Sequence, residues 1–187
     1  MDKDNTAAGK LLSGSNILME SLKAEGVTTI FGYPGGSIMP VYDALYDYTR
    51  GGQKTFDHIV VRHEQGAVHA AQGYARVSGN VGTVLVTSGP GVSNTLTGVA
   101  DAMIDSTPVV VIAGQVGVSV LGKDAFQELD RITVVQPICK WVYQIRRPED
   151  IPWAVSKAYY LARSGRPGPV VLHFPKNAQH SKCVYEP

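Results

Sequence analysis

The most informative stretch of this sequence is Val60–Ala67, which reads VVRHEQGA. Apolar residues lead into it, Glu64 follows, and small residues then recur at helical spacing, with alanines at 67, 70, 71 and 75. This order predicts a buried strand over 59–61, a short turn, and a helix that Glu64 opens. In a parallel sheet, Glu64 would stand at the carboxyl end of a strand, where open α/β sheets bind their ligands.

A glutamate at that place is poorly solvated, and poor solvation favours its protonated form near neutral pH. Such a carboxyl group is suited to acid–base chemistry or to donating a hydrogen bond. The plain alternative is an ordinary glutamate in a first helical turn, where the helix dipole favours a negative charge. Taken alone, the stretch favours this alternative. Whether Glu64 has a functional role therefore depends on the other motifs of the chain.

The composition is that of one ordinary globular domain. The chain has 187 residues, 44% of them hydrophobic, and its 17 basic and 16 acidic residues give a net charge of +1. A domain of this size can bury a full core, and the evenly spread charge lacks the basic patch that nucleic acid requires. The longest apolar run, Val109–Ala113, is too short to cross a bilayer. We therefore expect neither a nucleic-acid partner nor a membrane partner.

The cysteines and histidines indicate no metal site. Cys139 and Cys183 are far apart and lack metal-ligand spacing, and the five histidines form no HExxH pattern. Two isolated cysteines are typical of a reduced, intracellular protein. The polar start of the chain, residues 1–9, has no apolar signal core. We expect a cytoplasmic protein.

Strand and helix patterns alternate along the chain, which predicts right-handed crossovers and a mainly parallel sheet. Helices on both faces of that sheet would make a three-layer α/β/α domain. Gly26 is expected to end the first helix and Ser37 to cap the second. We place the domain at residues 12–176, after a flexible N-terminus at 1–11. Residues 177–187 are interpreted as the start of a linker to a middle domain that this chain lacks.

Four loops that follow strands are chemically unusual, and in a parallel sheet they meet at one edge. They are Tyr33–Ser37, the turn that holds Glu64, Ser88–Asn94 and Gly114–Val116. Glycines let a ligand approach the backbone closely, and amides at a helix N-terminus attract anions. Each loop taken alone fits a plain tight turn, and neither the dinucleotide fingerprint nor the P-loop motif is present. Glycine-rich loops together with a strand-end glutamate favour a binding site.

Four segments together resemble the pyrimidine-binding domain of thiamine-diphosphate enzymes. They are Phe31–Gly36 (FGYPGG), Val61–Ala67 (VRHEQGA), Thr87–Gly91 (TSGPG) and Asp124–Glu128 (DAFQE). Within that superfamily the chain is most similar to the large catalytic subunit of acetolactate synthase (acetohydroxyacid synthase), and Gly165–Pro169 (GRPGP) agrees. The resemblance implies a transferase of branched-chain amino acid biosynthesis. That enzyme condenses pyruvate with pyruvate or 2-oxobutyrate and releases carbon dioxide.

By this resemblance, Glu64 is the catalytic glutamate that hydrogen-bonds N1′ of the aminopyrimidine and so activates the cofactor. Gly36 lies in the flexible, closely packed loop near the reacting centre. Gln127, with Phe126 beside it, faces the substrate from the partner subunit. The resemblance thus makes Glu64, Gly36 and Gln127 the expected catalytic residues and places Phe126 at the substrate channel.

The resemblance also assigns binding roles. Pro90, Asn94 and Ser88 shape the pyrimidine pocket, although roles in turns and caps fit them equally well. Arg166 matches an arginine associated with FAD, against the alternative of a surface arginine in a turn. Gly117 stands where the family often has proline, beside the substrate channel, which puts inhibitor sensitivity in doubt.

The diphosphate end of the cofactor is held in the family by Mg²⁺ on a second domain. The Gly-Asp-Gly and Asn-Asn segments of that domain do not occur here, and the loops of this chain do not supply the oxygen ligands that Mg²⁺ needs. The chain would therefore carry half of an active site, completed in a homodimer or a larger assembly. In isolation it should be inactive. A regulatory small subunit is a further possible partner.

Two other interpretations stay open. The small subunit of a two-chain thiamine-diphosphate-dependent 2-oxo acid decarboxylase would share the length and the glutamate motif, but the segment Asp124–Glu128 argues against it. A non-catalytic assembly module would have no need of Glu64 among open glycine loops.

Overall fold

A sheet covered by helices on both faces forms the core. Every residue of the central strand Val109–Gln115 is buried. Val110 and Ile112 pack in one apolar cluster, whereas Val109 and Val111 pack in a second cluster on the opposite face. A strand buried on both faces is typically a continuous apolar run, which explains the uniform apolar sequence of 109–113.

The computed structural model describes residues 7–50, 54–120, 123 and 131–187. The helices are α1 (Gly14–Ala24), α2 (Met39–Thr49), α3 (Glu64–Ser78), α4 (Pro90–Ser93), α5 (Leu96–Ile104), α6 (Arg131–Val135), α7 (Ile151–Arg163) and α8 (Lys176–His180), with 3₁₀ turns at Val118–Val120, Gln136–Ile138 and Pro148–Asp150. The strands are β1 (Leu11–Ser13), β2 (Thr29–Gly32), β3 (Asp57–Val60), β4 (Gly82–Val86), β5 (Val109–Gln115), β6 (Trp141–Gln144), β7 (Pro169–Pro175) and β8 (Lys182–Val184). Across these ranges, no helix has the length and apolar character that a bilayer crossing demands.

Six strands form the main sheet in the order β3-β2-β4-β5-β7-β6, and all neighbours in it pair in parallel. A separate antiparallel pair joins β1 to β8. Residues of α1, α2 and α7 pack in the apolar cluster on one face, and residues of α3 and α5 pack in the cluster on the other. The three-layer α/β/α fold with a mainly parallel sheet is therefore confirmed.

The ends of two helices follow local signals in the sequence. Ser13 caps α1, because its hydroxyl accepts a hydrogen bond from the amide of Asn16 at 3.3 Å. Gly26 turns the chain after α1 at a φ of +78°, and Gly79 ends α3 at +74°. Glycine adopts such angles without strain, so the expected end of the first helix at Gly26 is confirmed.

The strand that precedes Glu64 is less buried than its sequence suggests. Ile59 and Val60 are 46% and 61% exposed, so the expectation of a buried run over 59–61 is wrong. The reason is the position of β3 at the edge of the sheet, where it pairs only with β2 among the described residues. An apolar run alone does not distinguish an edge strand from a central one.

The polar tail of the chain packs on the domain. In α8, Ala178 and Gln179 are fully buried, and β8 then pairs with β1. Tyr185, which follows β8, is 1% exposed. The packing of this domain thus continues well beyond the boundary expected at residue 176. The linker role expected for 177–187 stays a prediction.

Candidate functional site

The order of the strands predicts a crevice at the carboxyl edge of the sheet. Strands β2 and β4 are neighbours, yet the chain leaves β2 toward β3 on one side and leaves β4 toward β5 on the other. Such a reversal opens a crevice beyond the carboxyl ends of the two strands, and open α/β sheets bind ligands there. The loop over 33–38 follows β2, and the loop over 87–89 follows β4.

Glu64 is the first residue of α3, and only 7% of it is exposed. The side-chain amide of Asn94 donates a hydrogen bond of 2.8 Å to its Oε2 atom. Its Oε1 atom faces the backbone of Gly91, and a β-carbon built on that glycine would lie 3.7 Å away. No lysine or arginine within the described ranges forms an ion pair with this carboxylate. The expected shielding of Glu64 is confirmed, and the hydrogen bond from Asn94 engages Oε2 but not Oε1.

Two aromatic side chains close to Glu64, those of His63 and Tyr42, form hydrogen bonds with the backbone. The Nδ1 atom of His63 accepts a hydrogen bond from the amide of Gln65 at 3.2 Å and so caps α3. Tyr42 donates its hydroxyl proton to the carbonyl of Leu85 at 3.1 Å. Burial, and secondly the negative charge of Glu64, raise the pKa of Tyr42 above its ordinary value. Tyr42 therefore stays a neutral donor near the carboxylate.

Ser37 joins the two loops that flank the crevice. Its hydroxyl oxygen lies 3.0 Å from that of Thr87 and accepts a hydrogen bond from the amide of Ser88 at 2.9 Å. Because these contacts engage the hydroxyl, the expectation that Ser37 caps the second helix is wrong, and α2 begins at Met39 without a side-chain cap. Gly35 packs so closely on Thr87 that a β-carbon would lie 2.6 Å from its side chain.

Close packing connects these loops to the glutamate. Gly35 lies against Thr87, and Gly91 lies against both Thr87 and Glu64. Gly36 has open space at its β-position, since a β-carbon there would meet no atom of the described residues within 4 Å. The structure thus brings the Gly36 loop, the turn that begins at Pro90, and the Asn94–Glu64 pair to one place.

Pro90 is the first residue of α4 and follows Gly89, whose φ is +54°. Proline suits the first position of a helix because its missing N–H would have no partner there. The buried hydroxyl of Ser88 has no hydrogen-bond partner among the described residues. These observations fit the turn role of Pro90 and leave one polar atom beside the crevice unsatisfied.

Gly117 is a predicted site residue that is not part of this cluster. Gly117 follows β5 at the same edge, and among the described residues a β-carbon there would meet only the hydroxyl of Ser119, at 4.0 Å. Gln127 and Phe126 lie outside the described residues.

Arg166 lies before β7, at the edge of the sheet opposite to Glu64. Its guanidinium donates hydrogen bonds to the carbonyls of Met103 and Ile104 and to the hydroxyl of Ser106, at 2.8 to 3.1 Å. It thereby satisfies the end of α5, as basic side chains often do at helix C-termini. Within this domain, these contacts fit the alternative that Arg166 is a surface arginine in a turn and not a residue that binds FAD.

Sequence reasoning missed two residues that shape the site. Thr87 is a polar residue directly after an apolar strand, and a polar residue at that position indicates the ligand-binding edge of a parallel sheet. Gln179 lies in a polar tail and bonds the carbonyl of Ser37, which is 142 positions away in the sequence. No local sequence pattern indicates such a long-range contact. Within the described ranges, no group of three or more histidine, cysteine, aspartate and glutamate side chains is arranged to hold a metal ion.

Residues 12–134 match the family described as thiamine pyrophosphate enzyme, N-terminal TPP binding domain. The chain belongs to this family. All four segments that carried the resemblance, from FGYPGG to DAFQE, lie inside the matched residues. Thiamine pyrophosphate, or TPP, is thiamine diphosphate under another name.

Relatives of the chain carry the name of one enzyme. The acetolactate synthase large subunit of Lactococcus lactis subsp. lactis (strain IL1403) is 54% identical over 168 residues, which cover 90% of this chain and 28% of that protein. The acetolactate synthase isozyme 3 large subunit of Escherichia coli (strain K12) is 51% identical over 168 residues, with 90% and 28% covered. The probable acetolactate synthase large subunit of Methanocaldococcus jannaschii is 48% identical over 175 residues, with 94% and 29% covered.

The chain thus spans less than a third of the length of these relatives. The resemblance to acetolactate synthase drawn from the sequence is confirmed by identities of 48 to 54%. The small subunit of a two-chain decarboxylase is not favoured, since the relatives named above are all acetolactate synthases.

Proposed function

We propose that this chain is the pyrimidine-binding domain of an acetolactate synthase and that Glu64 activates its cofactor. The observation that carries the proposal is the shielded carboxyl group of Glu64. One of its oxygens is held by Asn94 at 2.8 Å, and the other is left free beside the backbone of Gly91. A carboxyl group of this kind can share a proton with a ring nitrogen without competition from bulk water.

The residues of the crevice fit a flat aminopyrimidine. Gly36 has open space at its β-position among the described residues, and Gly91, which packs on Thr87, brings its backbone beside Oε1 of Glu64. Asn94 fixes the orientation of the carboxyl group, and Tyr42, kept neutral, adds no competing charge. When bound, thiamine diphosphate supplies the electron sink for the chemistry, and the protein supplies orientation and electrostatics.

The reaction is part of the same proposal. Condensation of pyruvate with pyruvate or 2-oxobutyrate, with loss of carbon dioxide, is supported by the names of the relatives. Gln127 and Phe126 would face the substrate from a partner subunit, Pro90 would shape the pyrimidine pocket, and Gly117 would border the substrate channel. Arg166 would contact FAD only in an assembly that brings the flavin to the opposite edge of the sheet.

The proposal also includes a second domain and partner subunits that lie outside this chain. Mg²⁺ would be held by a second domain, and the relatives are long enough to contain one. A homodimer or a larger assembly would join that domain to the crevice described here, and a regulatory small subunit would act on the assembly. A cytoplasmic location, expected from the isolated cysteines, belongs to the same proposal.

The deciding experiment measures acetolactate formed from pyruvate by the full-length protein, with thiamine diphosphate, Mg²⁺ and FAD supplied. Glu64→Gln keeps the size of the side chain and removes its proton chemistry, so turnover should fall about 100-fold or more. Glu149→Gln, at an exposed glutamate of the 3₁₀ turn Pro148–Asp150, is the matched control and should keep full turnover. Wild-type turnover in Glu64→Gln would contradict the role of Glu64.

The same assay tests the need for a second domain. The purified 187-residue chain should form no acetolactate under these conditions. Appreciable turnover by this chain alone would overturn the proposal that it carries half of an active site.

A further inference from the structure

Gln179 connects the last helix of the chain to the loop that carries Gly36. It is fully buried in α8. Its side-chain nitrogen donates one hydrogen bond of 2.8 Å to the carbonyl of Ser37 and another of 2.6 Å to the carbonyl of Phe174. The residue after Gly36 is thus held by a side chain 142 positions further along the chain.

The two partners determine which way the amide of Gln179 points. Both are carbonyl oxygens, which only accept hydrogen bonds, so the NH₂ group has to face them. The Oε1 atom then points elsewhere, and it is buried without a hydrogen-bond partner among the described residues. An unpartnered buried oxygen is unfavourable, and an apolar side chain of similar size would avoid that cost. The two donor contacts are therefore what the amide contributes.

Ser37 is fixed from three sides. Its hydroxyl contacts Thr87 after β4, and a β-carbon built on Gly114 of β5 would lie 2.7 Å from the Ser37 carbonyl oxygen. Gln179 supplies the third contact, and its own backbone carbonyl accepts a hydrogen bond of 3.1 Å from the hydroxyl of Ser15 in α1. Ser37, the residue after Gly36, thus contacts α8 as well as the loop after β4 and the end of β5.

We propose that Gln179 is a positioning residue for the cofactor site. It holds the carbonyl of Ser37 and thereby fixes the loop that places Gly36 beside the crevice. The inference rests on the proposed function of that loop. It also makes the tail over 176–185 a part of the scaffold of the site.

Hydrogen exchange in the full-length protein tests the positioning directly, without any activity. Gln179→Met keeps the length of the side chain and removes both donors, and Lys176→Met, at an exposed position of the same helix, is the matched control. Amides over 35–38 should exchange on the order of tenfold faster in Gln179→Met because the loop opens locally, and at the wild-type rate in the control. Unchanged exchange over 35–38 in Gln179→Met overturns the proposal. So does a uniform increase over all of β7 and α8 without a selective effect on the loop.

A kinetic measurement separates positioning from binding. With acetolactate formation as the assay, Gln179→Met should lower kcat on the order of tenfold, because small displacements near a reacting centre are costly. KM for pyruvate should change by less than about twofold, as the substituted residue does not contact substrate. A change confined to KM contradicts the proposal. If Gln179→Met fails to fold, Gln179→Asn replaces it, since its shorter side chain keeps the amide but cannot reach both carbonyls.

Failure of the proposed function is distinguishable from failure of this inference. A wild-type protein that forms no acetolactate, but whose loop exchange still responds to Gln179→Met, loses the proposed function and keeps the positioning role. If the wild-type protein forms acetolactate but exchange over 35–38 does not respond to Gln179→Met, the proposed function is kept and the positioning role is lost.

Discussion

The side-chain amide of Asn94 donates a hydrogen bond of 2.8 Å to Oε2 of Glu64, which joins two loops of the sheet edge. Glu64 begins α3, and Asn94 follows the short helix α4, where its backbone amide bonds the carbonyl of Pro90 at 2.9 Å. The turn over 88–94 therefore places the donor, and the donor orients the carboxyl group. A hydrogen bond to a charged acceptor contributes about 1.5–3 kcal/mol, more than one between neutral groups.

Replacing Asn94 by leucine should weaken the action of Glu64 while leaving the fold intact. Leucine has nearly the same shape and no donor, so Oε2 loses its partner and the carboxyl group can rotate. In the full-length protein we expect acetolactate formation to fall about tenfold, in line with the loss of one hydrogen bond to a charged group. Ser93→Ala, at the exposed neighbouring position, is the control and should keep its rate.

Asn94→Asp should be more harmful than Asn94→Leu near neutral pH. Two carboxyl groups at this distance cannot both carry a charge at low cost, so they share one proton. Activity of Asn94→Asp should then recover as the pH is lowered and the added carboxyl group is neutralised. Equal rates for wild type and Asn94→Leu across the pH range would show that the contact has no part in catalysis.

Gly114 should not tolerate alanine, although it lies at the end of a strand. A β-carbon there would lie 2.7 Å from the backbone oxygen of Ser37, and a backbone atom cannot move aside as a flexible side chain can. Gly114→Ala should lower the free energy of unfolding by about 1–3 kcal/mol. Gly73→Ala provides the contrast, because it meets open space in α3 and should raise stability by about 0.5–1 kcal/mol. Urea unfolding of both variants measures the difference, and equal stability for the two would contradict the steric reason.

The fold class was predictable because strand and helix patterns depend on neighbouring residues. Gly26 ends α1 as expected, and the shielding of Glu64 followed from its place at the end of a strand. The exposure of Ile59 was not predictable, since the order of strands in the sheet decides which of them lies at the edge. The contact from Gln179 to Ser37 spans 142 positions and leaves no pattern in a single sequence.

The two cysteines should differ in reactivity. Cys139 is 8% exposed, and burial raises the pKa of its thiol to about 11. The thiolate is the reactive form, so Cys139 should resist alkylation near neutral pH in the folded protein. Cys183 is only partly buried and should react first, although burial raises its pKa as well. Peptide mapping after iodoacetamide treatment gives the order, and equal labelling of both thiols without urea would contradict it.

His58 should make stability fall in mildly acidic solution. Its ring packs edge-on against Tyr42 with ring centroids 5.2 Å apart, and its Nε2 atom is buried without a hydrogen-bond partner among the described residues. Burial lowers the pKa of His58 below the ordinary value of 6.5. Between the lowered pKa and 6.5 the unfolded chain therefore binds more protons than the folded one. The contribution of His58 is fully present above that interval and is lost as the pH falls through it.

His58→Phe keeps an aromatic ring against Tyr42 and cannot bind a proton, so it should remove this part of the acid sensitivity. We expect the free energy of unfolding of the variant to fall less than that of the wild type between about pH 7.5 and pH 5. His180→Phe, at an exposed histidine of α8, is the matched control and should keep the wild-type slope. Urea unfolding at a series of pH values measures both slopes. Parallel curves for the wild type and His58→Phe would mean that His58 is as easily protonated in the folded state as in the unfolded chain.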